Sequence, residues 1–308
     1  PSIRRLFCYY LYMSTHKTVF TDIQAESFLN SYFKTDNIKF ERIGMGEESQ
    51  AFYFSLGGED YVLRVTRHGI EGYMKDKIAF EEFSSETLRI PEVVNVGEVD
   101  KQISFIITKR AKGSMLGDSK SDGAQKLKSR IIKVLTEVHS IEVPGEGYGG
   151  WGLNRNGPFK SWKDYLRASL VQDESVFEGK DFYDAPIHQR IKAELEKLIM
   201  HCPEDRAILH GDFGGANIIS DGGNIVILDW EDSLYGDPLW DVANFNFGEE
   251  FREYYESKGG VPSKFEERIF CYRLLSFYRG LWFYAYSNQA ESYIKCRDNA
   301  ELLIEALT

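Results

Sequence analysis

The stretch HGDFGGANIISDGGNIVILD, at residues 210–229, constrains this chain more than any other part of it. It contains Asp212, then Asn217 five residues later, then Asp229 twelve residues after that. The short apolar runs on either side of its Gly-Gly pair predict a β-hairpin between Asn217 and Asp229. A single Asp or Asn would indicate only a turn. Two carboxylates and a carboxamide around one hairpin instead predict a chemical site.

This order of side chains is the one that phosphoryl transfer requires. One carboxylate meets the acceptor hydroxyl, while a neutral oxygen ligand and a second carboxylate hold Mg²⁺ on the nucleotide phosphates. Catalytic loops of protein kinases have the same Asp-to-Asn spacing, followed by a metal-binding Asp. His210 precedes Asp212 by two residues, and we expect it to hold backbone groups rather than to react. The sequence therefore predicts an enzyme that uses ATP and Mg²⁺.

The pattern of apolar residues changes near residue 111 from strand-like to helical. Alternating runs predict strands at 38–43, 50–56, 61–65, 91–96 and 103–108. Helical periodicity predicts helices at 21–33, 74–85, 121–141, 162–170, 187–200, 240–256, 264–286 and 290–306. These elements indicate an α+β fold in which a small antiparallel sheet, crossed by one helix, precedes a larger helical part. We divide the chain into an N-terminal extension (1–20), a nucleotide-binding N-lobe (21–111) and a C-lobe with the catalytic loop and substrate site (112–308).

A glycine-containing loop between two predicted strands is the first candidate nucleotide contact. It reads GMGEES and contains Gly44, Gly46 and Ser49. Glycines let backbone N–H groups approach phosphates, although an ordinary hairpin loop explains so short a motif equally well. The chain contains no GxxxxGK[ST] sequence, which argues against a P-loop ATPase.

Arg64, in the predicted strand YVLRV, is the second candidate nucleotide contact. Protein kinases place a phosphate-binding lysine at this point, and arginine keeps the positive charge while allowing bidentate contacts. A surface arginine at a strand end is the alternative. If Arg64 binds phosphate, we expect a carboxylate on the following helix to hold it. We favour Asp76, whereas Glu81 or Glu82 would fit if that helix began later.

The formal charge of −11 argues against nucleic acid as a partner. Most of the acidic excess lies in residues 112–308, which hold 23 Lys/Arg against 32 Asp/Glu. This excess suits a cationic substrate, and a solvated acidic surface explains it equally well. The candidate carboxylates for binding such a substrate are Glu231, Asp232, Glu249 and Glu250. We expect Asp237 to cap the helix that contains Asp241.

Cysteine usage and apolar patterning indicate a protein of the cytoplasm. The four cysteines form no CxxC pair and no metal-ligand spacing, so we expect reduced thiols. No apolar run approaches the roughly 18 residues of a membrane span. We expect a cytoplasmic monomer that binds neither membranes nor nucleic acid. The first residues, PSIRRLFCYYLYM, predict an upstream extension with Met13 as the natural start, or else a packed N-terminal segment.

Five segments together resemble the aminoglycoside phosphotransferases, a family related to protein kinases and choline kinases. The segments are GMGEESQAFYF, YVLRV, IPEVVNVGE, HGDFGGAN and VILDWEDSLYGDPLWDVAN, which span about residues 40–245. The GEES loop and the arginine in YVLRV are most similar to the hygromycin-type members. The resemblance implies a protein-kinase-like two-lobed α+β fold, with a small β-rich N-lobe and a larger helical C-lobe.

The resemblance also implies a reaction and a set of roles. The reaction is transfer of the γ-phosphate of ATP, with GTP as the alternative donor, to a hydroxyl of a hygromycin B-like aminoglycoside, giving antibiotic resistance. By position, Asp212 would be the catalytic base, Asn217 and Asp229 would be Mg²⁺ ligands, and Arg64 would contact phosphates. The hinge that reads adenine through backbone groups would contain Thr108, Lys109 and Ala111.

Two departures from the family pattern leave the acceptor open. Ala216 stands where the hygromycin-type members have a polar residue, and the segment FNFGEEFREYY after Asn244 matches poorly. A metabolic kinase of the same fold, acting on an amino-sugar, choline-like or other hydroxyl substrate, is the second interpretation. A nucleotide-binding pseudokinase scaffold is the third, and the intact Asp212, Asn217 and Asp229 argue against it.

Overall fold

The computed structural model describes residues 18–36, 38–45, 49–117 and 122–307. The first of its two compact units contains the described residues up to Ser114 together with Ile218–Glu231, and the second contains those of Met115–Asn217 and those from Asp232 onward. The sequence predicted a boundary at residue 111 and one continuous C-lobe after it. The hairpin segment lies instead in the first unit, because Val226 pairs with Arg89 and the Trp230 N–H binds Asp76.

The first unit is built on an antiparallel sheet. Its elements are α1 (Asp22–Phe33), β1 (Lys39–Met45), β2 (Ser49–Leu56), β3 (Glu59–Thr66), α2 (Glu71–Phe83), β4 (Val93–Glu98), β5 (Ser104–Lys109) and, later in the chain, β9 (Ile218–Ser220) and β10 (Ile225–Ile227). Five strands run in the order β1-β2-β3-β5-β4, which confirms the predicted sheet. The α1 helix begins at the predicted capping box, where Thr21 accepts the Gln24 N–H. The α2 helix begins at Glu71, earlier than predicted.

The two faces of this sheet have different surroundings. On β3, Leu63 and Val65 are buried in an apolar cluster with Leu29 of α1. Arg64 lies between them in sequence, so strand alternation turns it to the opposite face, where it meets α2. Phe20, at the end of the predicted extension, also belongs to the apolar cluster, and the bounds of the extension stay a prediction. Residues 1–17 of that extension lie outside the described residues.

The second unit is mostly helical. Its elements are α3 (Asp122–Lys126), α4 (Lys128–Ser140), β7 (Gly149–Gly150), α5 (Trp162–Ala168), α6 (Ala185–Ile199), β8 (Ala207–Leu209), β11 (Leu234–Gly236), α7 (Leu239–Asn244), α8 (Gly248–Ser257), α9 (Phe265–Tyr286) and α10 (Ala290–Glu305), with short 3₁₀ turns at Glu174–Phe177 and Gly215–Asn217; β6 (Ser114–Met115) spans the boundary between the units. The β11 strand pairs antiparallel with both β7 and β8.

Two helices that we predicted as continuous are each broken. The predicted helix at 121–141 is divided into α3 and α4 at Leu127, whose backbone leaves the helical region (φ −103°, ψ 7°). The predicted helix at 240–256 is divided into α7 and α8, because Asn246 adopts a left-handed φ of 59°. Asparagine tolerates this conformation better than most residues. The buried Phe245 and Phe247 on either side of the break keep the apolar pattern unbroken in the sequence.

Asp237, Arg268 and Tyr272 form a buried polar cluster in the second unit. The Nε of Arg268 donates to Oδ2 of Asp237 at 2.8 Å, its Nη2 donates to Oδ1, and the Tyr272 hydroxyl donates to Oδ2. The N-cap of α7 is Pro238 rather than the predicted Asp237, although Asp237, one residue earlier, accepts the Leu239 N–H at 3.1 Å. The carboxylate therefore connects β11, α7 and α9.

His188 on α6 is a buried imidazole. Its ring stacks on Tyr278 with a centroid separation of 4.8 Å and lies against Phe177. Its Nε2 is 3.1 Å from Oε1 of Gln172. Burial lowers the pKa of His188 from 6.5 to about 4, so the folded protein keeps this side chain neutral at physiological pH.

His188 should make the protein less stable as the pH falls below 6.5. The unfolded chain then binds a proton that the folded chain refuses until about pH 4, so the stability is present above pH 6.5 and is lost on acidification. Between pH 7.5 and 5.5 we expect this residue to lower the free energy of unfolding by about 1.4 kcal/mol. Urea unfolding of the wild type and of His188→Gln at both pH values measures the effect. Equal losses in the two proteins would contradict it.

Two further features concern cysteines and membranes. Cys202, Cys271 and Cys296 are buried free thiols, and Cys8 lies outside the described residues. None of the described helices combines the length and the apolar character that a bilayer crossing requires.

Candidate active site

Arg64 lies at the centre of a charged cluster in the first unit. Its Nη2 is 3.0 Å from Oδ2 of Asp76 on α2 and 3.3 Å from Oδ1 of Asp229. The pairing with Asp76 is the one that the sequence favoured. Glu81, the later alternative, pairs with Lys77 on its own helix. Because α2 begins at Glu71, the helix brings Asp76 rather than Glu81 to the β3 strand.

The electrostatics of this cluster keep Arg64 charged. Burial opposes the charge, but the carboxylates of Asp229 and Asp76 outweigh it and raise the pKa of the guanidinium. The Tyr73 ring centroid lies 5.2 Å from the guanidinium carbon, a favourable cation–π distance. The side chain of Asp229 is 40% exposed, so the ion pair with Arg64 leaves part of its carboxylate accessible to another ligand. The cluster is therefore a fixed positive group beside a partly free carboxylate.

Asp229 adopts an unusual backbone conformation. Its φ is 65°, in the left-handed region that non-glycine residues rarely occupy. Such residues persist only where neighbouring contacts hold them, and they concentrate at functional sites. The turn comes immediately after the β9–β10 hairpin, in which Ile227 pairs with Ile218.

The remaining predicted nucleotide contacts lie on or beside the same sheet. Gly44 is in β1 and Ser49 begins β2, while Gly46 lies outside the described residues. Thr108 and Lys109 end β5, and Ala111 follows. Thr108 pairs with Val62, so it shares a face of the sheet with Arg64. The hinge role of these residues stays a prediction.

Asp212 and Asn217 come together in the loop that follows β8 in the second unit, the predicted catalytic loop. Asp212 is exposed. Asn217, five residues later, ends the 3₁₀ turn Gly215–Asn217. The Nδ2 of Asn217 donates to the backbone oxygen of Asp212 at 3.0 Å and to its Oδ2 at 2.8 Å. These bonds use only the nitrogen of the carboxamide. Its oxygen is thus left for another ligand.

The start of this loop is anchored by Asp241, a role that the sequence reasoning missed. Its fully buried carboxylate accepts the N–H groups of His210 at 2.9 Å and Gly211 at 3.0 Å. It also lies 3.0 Å from Nε2 of His139 at the end of α4. His139 and Asp241 are polar residues in otherwise apolar helical patterns, which was a signal in the sequence. Only the fold shows that residues so far apart in sequence lie together.

Hydrogen bonds fix the carbonyl group of Gly211 as well as its N–H group. The Nε1 of Trp240 and the Nδ2 of Asn244 donate to its carbonyl oxygen at 3.0 and 3.1 Å. Its φ of 91° and an approach to Asp232 that would put a Cβ 2.0 Å from the backbone oxygen both require glycine. The backbone immediately before Asp212 is therefore fixed.

The four carboxylates predicted to bind a cationic substrate are divided between the two units. Glu231 belongs to the first unit, where its carboxylate lies against Gly72 of α2. Asp232 is exposed and begins the second unit's last segment. Glu249 is exposed on α8, and Glu250 accepts from Gln125 at 3.4 Å. A substrate role for these four carboxylates stays a prediction.

Glu250 lines a groove between α4 and α8 of about 620 Å³. The lining includes Lys128 and Lys133 as well as Glu253, and it contains neither Asp212 nor Asn217. Basic and acidic side chains therefore alternate there, which does not favour the predicted binding of a polycation.

The residues predicted to hold Mg²⁺ have suitable chemistry. A carboxamide oxygen and a carboxylate are hard oxygen ligands, and Mg²⁺ is usually held by only one or two carboxylates together with nucleotide phosphates. Asn217 keeps its side-chain oxygen free of the bonds described above, and Asp229 is partly exposed. Within the described ranges, no cluster of three or more His, Cys, Asp or Glu residues is arranged to bind a metal without such phosphates.

Comparison with known proteins agrees with this geometry. A hygromycin-B 4-O-kinase from Escherichia coli is 30% identical over 237 residues, which are 75% of this chain and 68% of the relative. A crystal structure of a thermostable mutant of aminoglycoside phosphotransferase APH(4)-Ia, a ternary complex with ADP and hygromycin B, has a TM-score of 0.78 at 26% identity, covering 91% of this chain and 97% of that one.

More distant relatives share part of the sequence or the fold alone. Acyl-CoA dehydrogenase family member 11 of Gallus gallus is 29% identical over 220 residues, but the chain spans only about a quarter of its length (26%) and 64% of this chain is matched. The GDP and kanamycin complex of APH(2″)-IIIa has a TM-score of 0.68 at 13% identity, covering 92% of this chain and 99% of that one, which shows the fold.

The described elements and these structural matches confirm the predicted kinase-like α+β fold. Residues 39–268 match the model of the phosphotransferase enzyme family. That range includes Arg64, Asp76, Asp212, Asn217 and Asp229, the residues whose arrangement is described above. Because the match covers most of the chain, the protein belongs to the phosphotransferase enzyme family.

Proposed function

We propose that the protein transfers the γ-phosphate of ATP to a hydroxyl group of a hygromycin B-like aminoglycoside, and that this reaction gives antibiotic resistance. The observation that carries the proposal is the pairing of Asn217 with Asp212 in a loop that Asp241 anchors. The 30% identity to a hygromycin-B 4-O-kinase supports the choice of acceptor. ATP is the favoured donor because related structures hold ADP or AMP-PNP, and GTP is the alternative.

The nucleotide would be held by residues of the first unit. Arg64 would bind phosphate oxygens, with Asp76 fixing the orientation of its guanidinium. Thr108, Lys109 and Ala111 would read the base through their backbone groups, and Gly44, Gly46 and Ser49 would cover the phosphates. Asn217 and Asp229 would hold Mg²⁺, which neutralises charge on the phosphates when bound.

Asp212 would orient the acceptor hydroxyl and take its proton late in the reaction. Phosphoryl transfer needs little covalent chemistry from the protein, so positioning and electrostatic stabilisation dominate. The two hydrogen bonds from Asn217 and the fixed peptide of Gly211 restrict where the Asp212 carboxylate can lie. This restriction supplies the positioning.

A cationic acceptor fits the charge of the chain. Residues 112–308 carry most of the acidic excess, and Asp232 is an exposed carboxylate in the part of the chain that follows the hairpin. Attraction of this kind raises the association rate of a polycation and weakens with salt. We propose that the enzyme acts as a cytoplasmic monomer.

The experiment is Mg²⁺-dependent ADP release from ATP with a panel of aminoglycosides that includes hygromycin B, with each acceptor omitted in turn. NMR of the product identifies the hydroxyl that is phosphorylated. Saturable turnover with one panel member is the expected result. Absence of turnover with every member, despite ATP binding, would overturn the choice of acceptor.

A metabolic kinase of the same fold is the second candidate. It is favoured by the segment after Asn244, which departs from the hygromycin-type pattern, and by Glu250, which lines the α4–α8 groove and accepts a hydrogen bond from Gln125 of α3. Its acceptor would be an amino-sugar, a choline-like alcohol or another hydroxyl metabolite. ATP binding without any response to aminoglycosides, followed by turnover in a screen of such metabolites, would establish it.

A further inference from the structure

One face of α2 contacts the segment that follows Asp229. The contacting residues of the helix are Gly72, Lys75, Asp76 and Phe83, and the residues that they contact are Trp230 and Glu231. Positions separated by three, four and eleven residues lie on the same side of a helix. The α2 helix therefore presents one continuous face to Trp230 and Glu231.

Two neighbouring residues of that face hold the backbone on either side of one peptide. The Nζ of Lys75 donates to the carbonyl oxygen of Glu231 at 2.7 Å. Oδ1 of Asp76 accepts the N–H of Trp230 at 2.7 Å, while its Oδ2 binds Arg64. The backbone just after Asp229 is thus fixed through one N–H and one C=O group.

Lys75 is unusual because it is only 7% exposed. Lysine is almost never buried unless its charge is satisfied, and burying an ammonium group is a costly way to stabilise a fold. The absence of a side chain at Gly72 leaves room for Glu231, because a Cβ at Gly72 would lie 2.7 Å from Oε2 of Glu231. The conformation held in place is the left-handed φ of 65° at Asp229, which needs support from its neighbours.

We infer that Lys75 is a positioning residue that holds the Asp229 carboxylate in the orientation needed to bind Mg²⁺ with the nucleotide. It acts through its hydrogen bond to the Glu231 carbonyl. This inference rests on the proposed function, because it assigns Lys75 a part in the same nucleotide site. Partners that orient metal ligands commonly change metal affinity by about 10- to 100-fold when removed.

The test compares Lys75→Met with Lys77→Met. The first variant removes the buried ammonium but keeps most of the stem, and the second removes an exposed ammonium from the same helix, where Lys77 pairs with Glu81. Calorimetry measures ADP binding with saturating Mg²⁺, with limiting Mg²⁺ and with chelator. We expect Lys75→Met to weaken the Mg²⁺-dependent part of binding about 10-fold and to leave binding in chelator unchanged, with Lys77→Met like the wild type.

Lys75→Arg should recover part of the Mg²⁺ dependence, because it keeps a buried donor near the carbonyl. If thermal unfolding shows that Lys75→Met is not folded, Lys75→Gln serves in its place, because it also removes the ammonium group; the same loss is expected. A folded Lys75→Met with wild-type Mg²⁺ dependence would overturn the inference and leave the proposed function standing. A wild type without any Mg²⁺-dependent ADP binding would overturn the proposed function itself.

Discussion

Replacement of Asp212 by asparagine should lower kcat by about 10²- to 10⁴-fold, the usual cost of losing a general base. This corresponds to about 3–5 kcal/mol of transition-state stabilisation. The carboxylate is exposed and already accepts a hydrogen bond from Asn217, so an isosteric carboxamide removes the base without opening a cavity. The KM for ATP should change little, because Asp212 does not belong to the cluster around Arg64. Steady-state kinetics with the acceptor found in the panel assay measure both parameters.

The matched control is Asp181→Asn, an exposed aspartate in the turn before α6, which should have wild-type kinetics. Circular dichroism and thermal unfolding should show both variants folded, since neither residue is buried. Near-normal kcat in Asp212→Asn would show that another group takes the proton. A large rise in KM for ATP with unchanged kcat would instead assign Asp212 to nucleotide binding.

Replacement of Arg268 by methionine should destabilise the protein by about 3–5 kcal/mol, because it leaves the buried Asp237 carboxylate without its ionic partner. Arg268 and Asp237 are 5% and 0% exposed in their side chains. The Tyr272 hydroxyl and the Leu239 N–H would remain as partners of the carboxylate, but neither carries charge. For a chain of this size the change corresponds to a fall in Tm of about 10 °C. Denaturant unfolding and calorimetry measure it.

Two comparisons separate the ion pair from a general effect of removing arginine. Arg190→Met, at an exposed position on α6, should change stability by less than about 0.5 kcal/mol. The double replacement Arg268→Met with Asp237→Leu should recover part of the loss, since an apolar pair costs less than one unpaired buried charge. A single Arg268→Met variant that is as stable as Arg190→Met would refute the prediction.

Local patterns in the sequence were sufficient to predict most of the first unit. Alternation defined the five strands, and the Thr21–Gln24 pair defined the start of α1. The spacing of Asp212 and Asn217 predicted that the two side chains act together, and the structure shows the hydrogen bond between them. These features depend on residues that are close in sequence, so propensity and periodicity report them directly.

The parts that the sequence did not predict depend on single backbone angles or on distant contacts. The break at Asn246 is one residue with positive φ inside a continuous apolar pattern. The anchoring of Gly211 by Asp241 joins residues thirty positions apart, and the bond from Lys75 to Glu231 spans more than 150. No periodicity marks such pairs, because the fold alone brings them together.

The pairing of β11 on both of its edges restricts where phosphorylation of the chain could regulate the activity of this enzyme. Protein kinases place between their metal-binding Asp and the following helices a long activation loop, whose phosphorylation switches activity. Here only four residues separate Asp229 from β11, a strand bonded on each side to β7 and β8. The one hydroxyl-bearing residue in that interval, Ser233, is fully buried and out of reach of a modifying enzyme. The folded chain therefore has no accessible hydroxyl group between Asp229 and β11 that a protein kinase could phosphorylate.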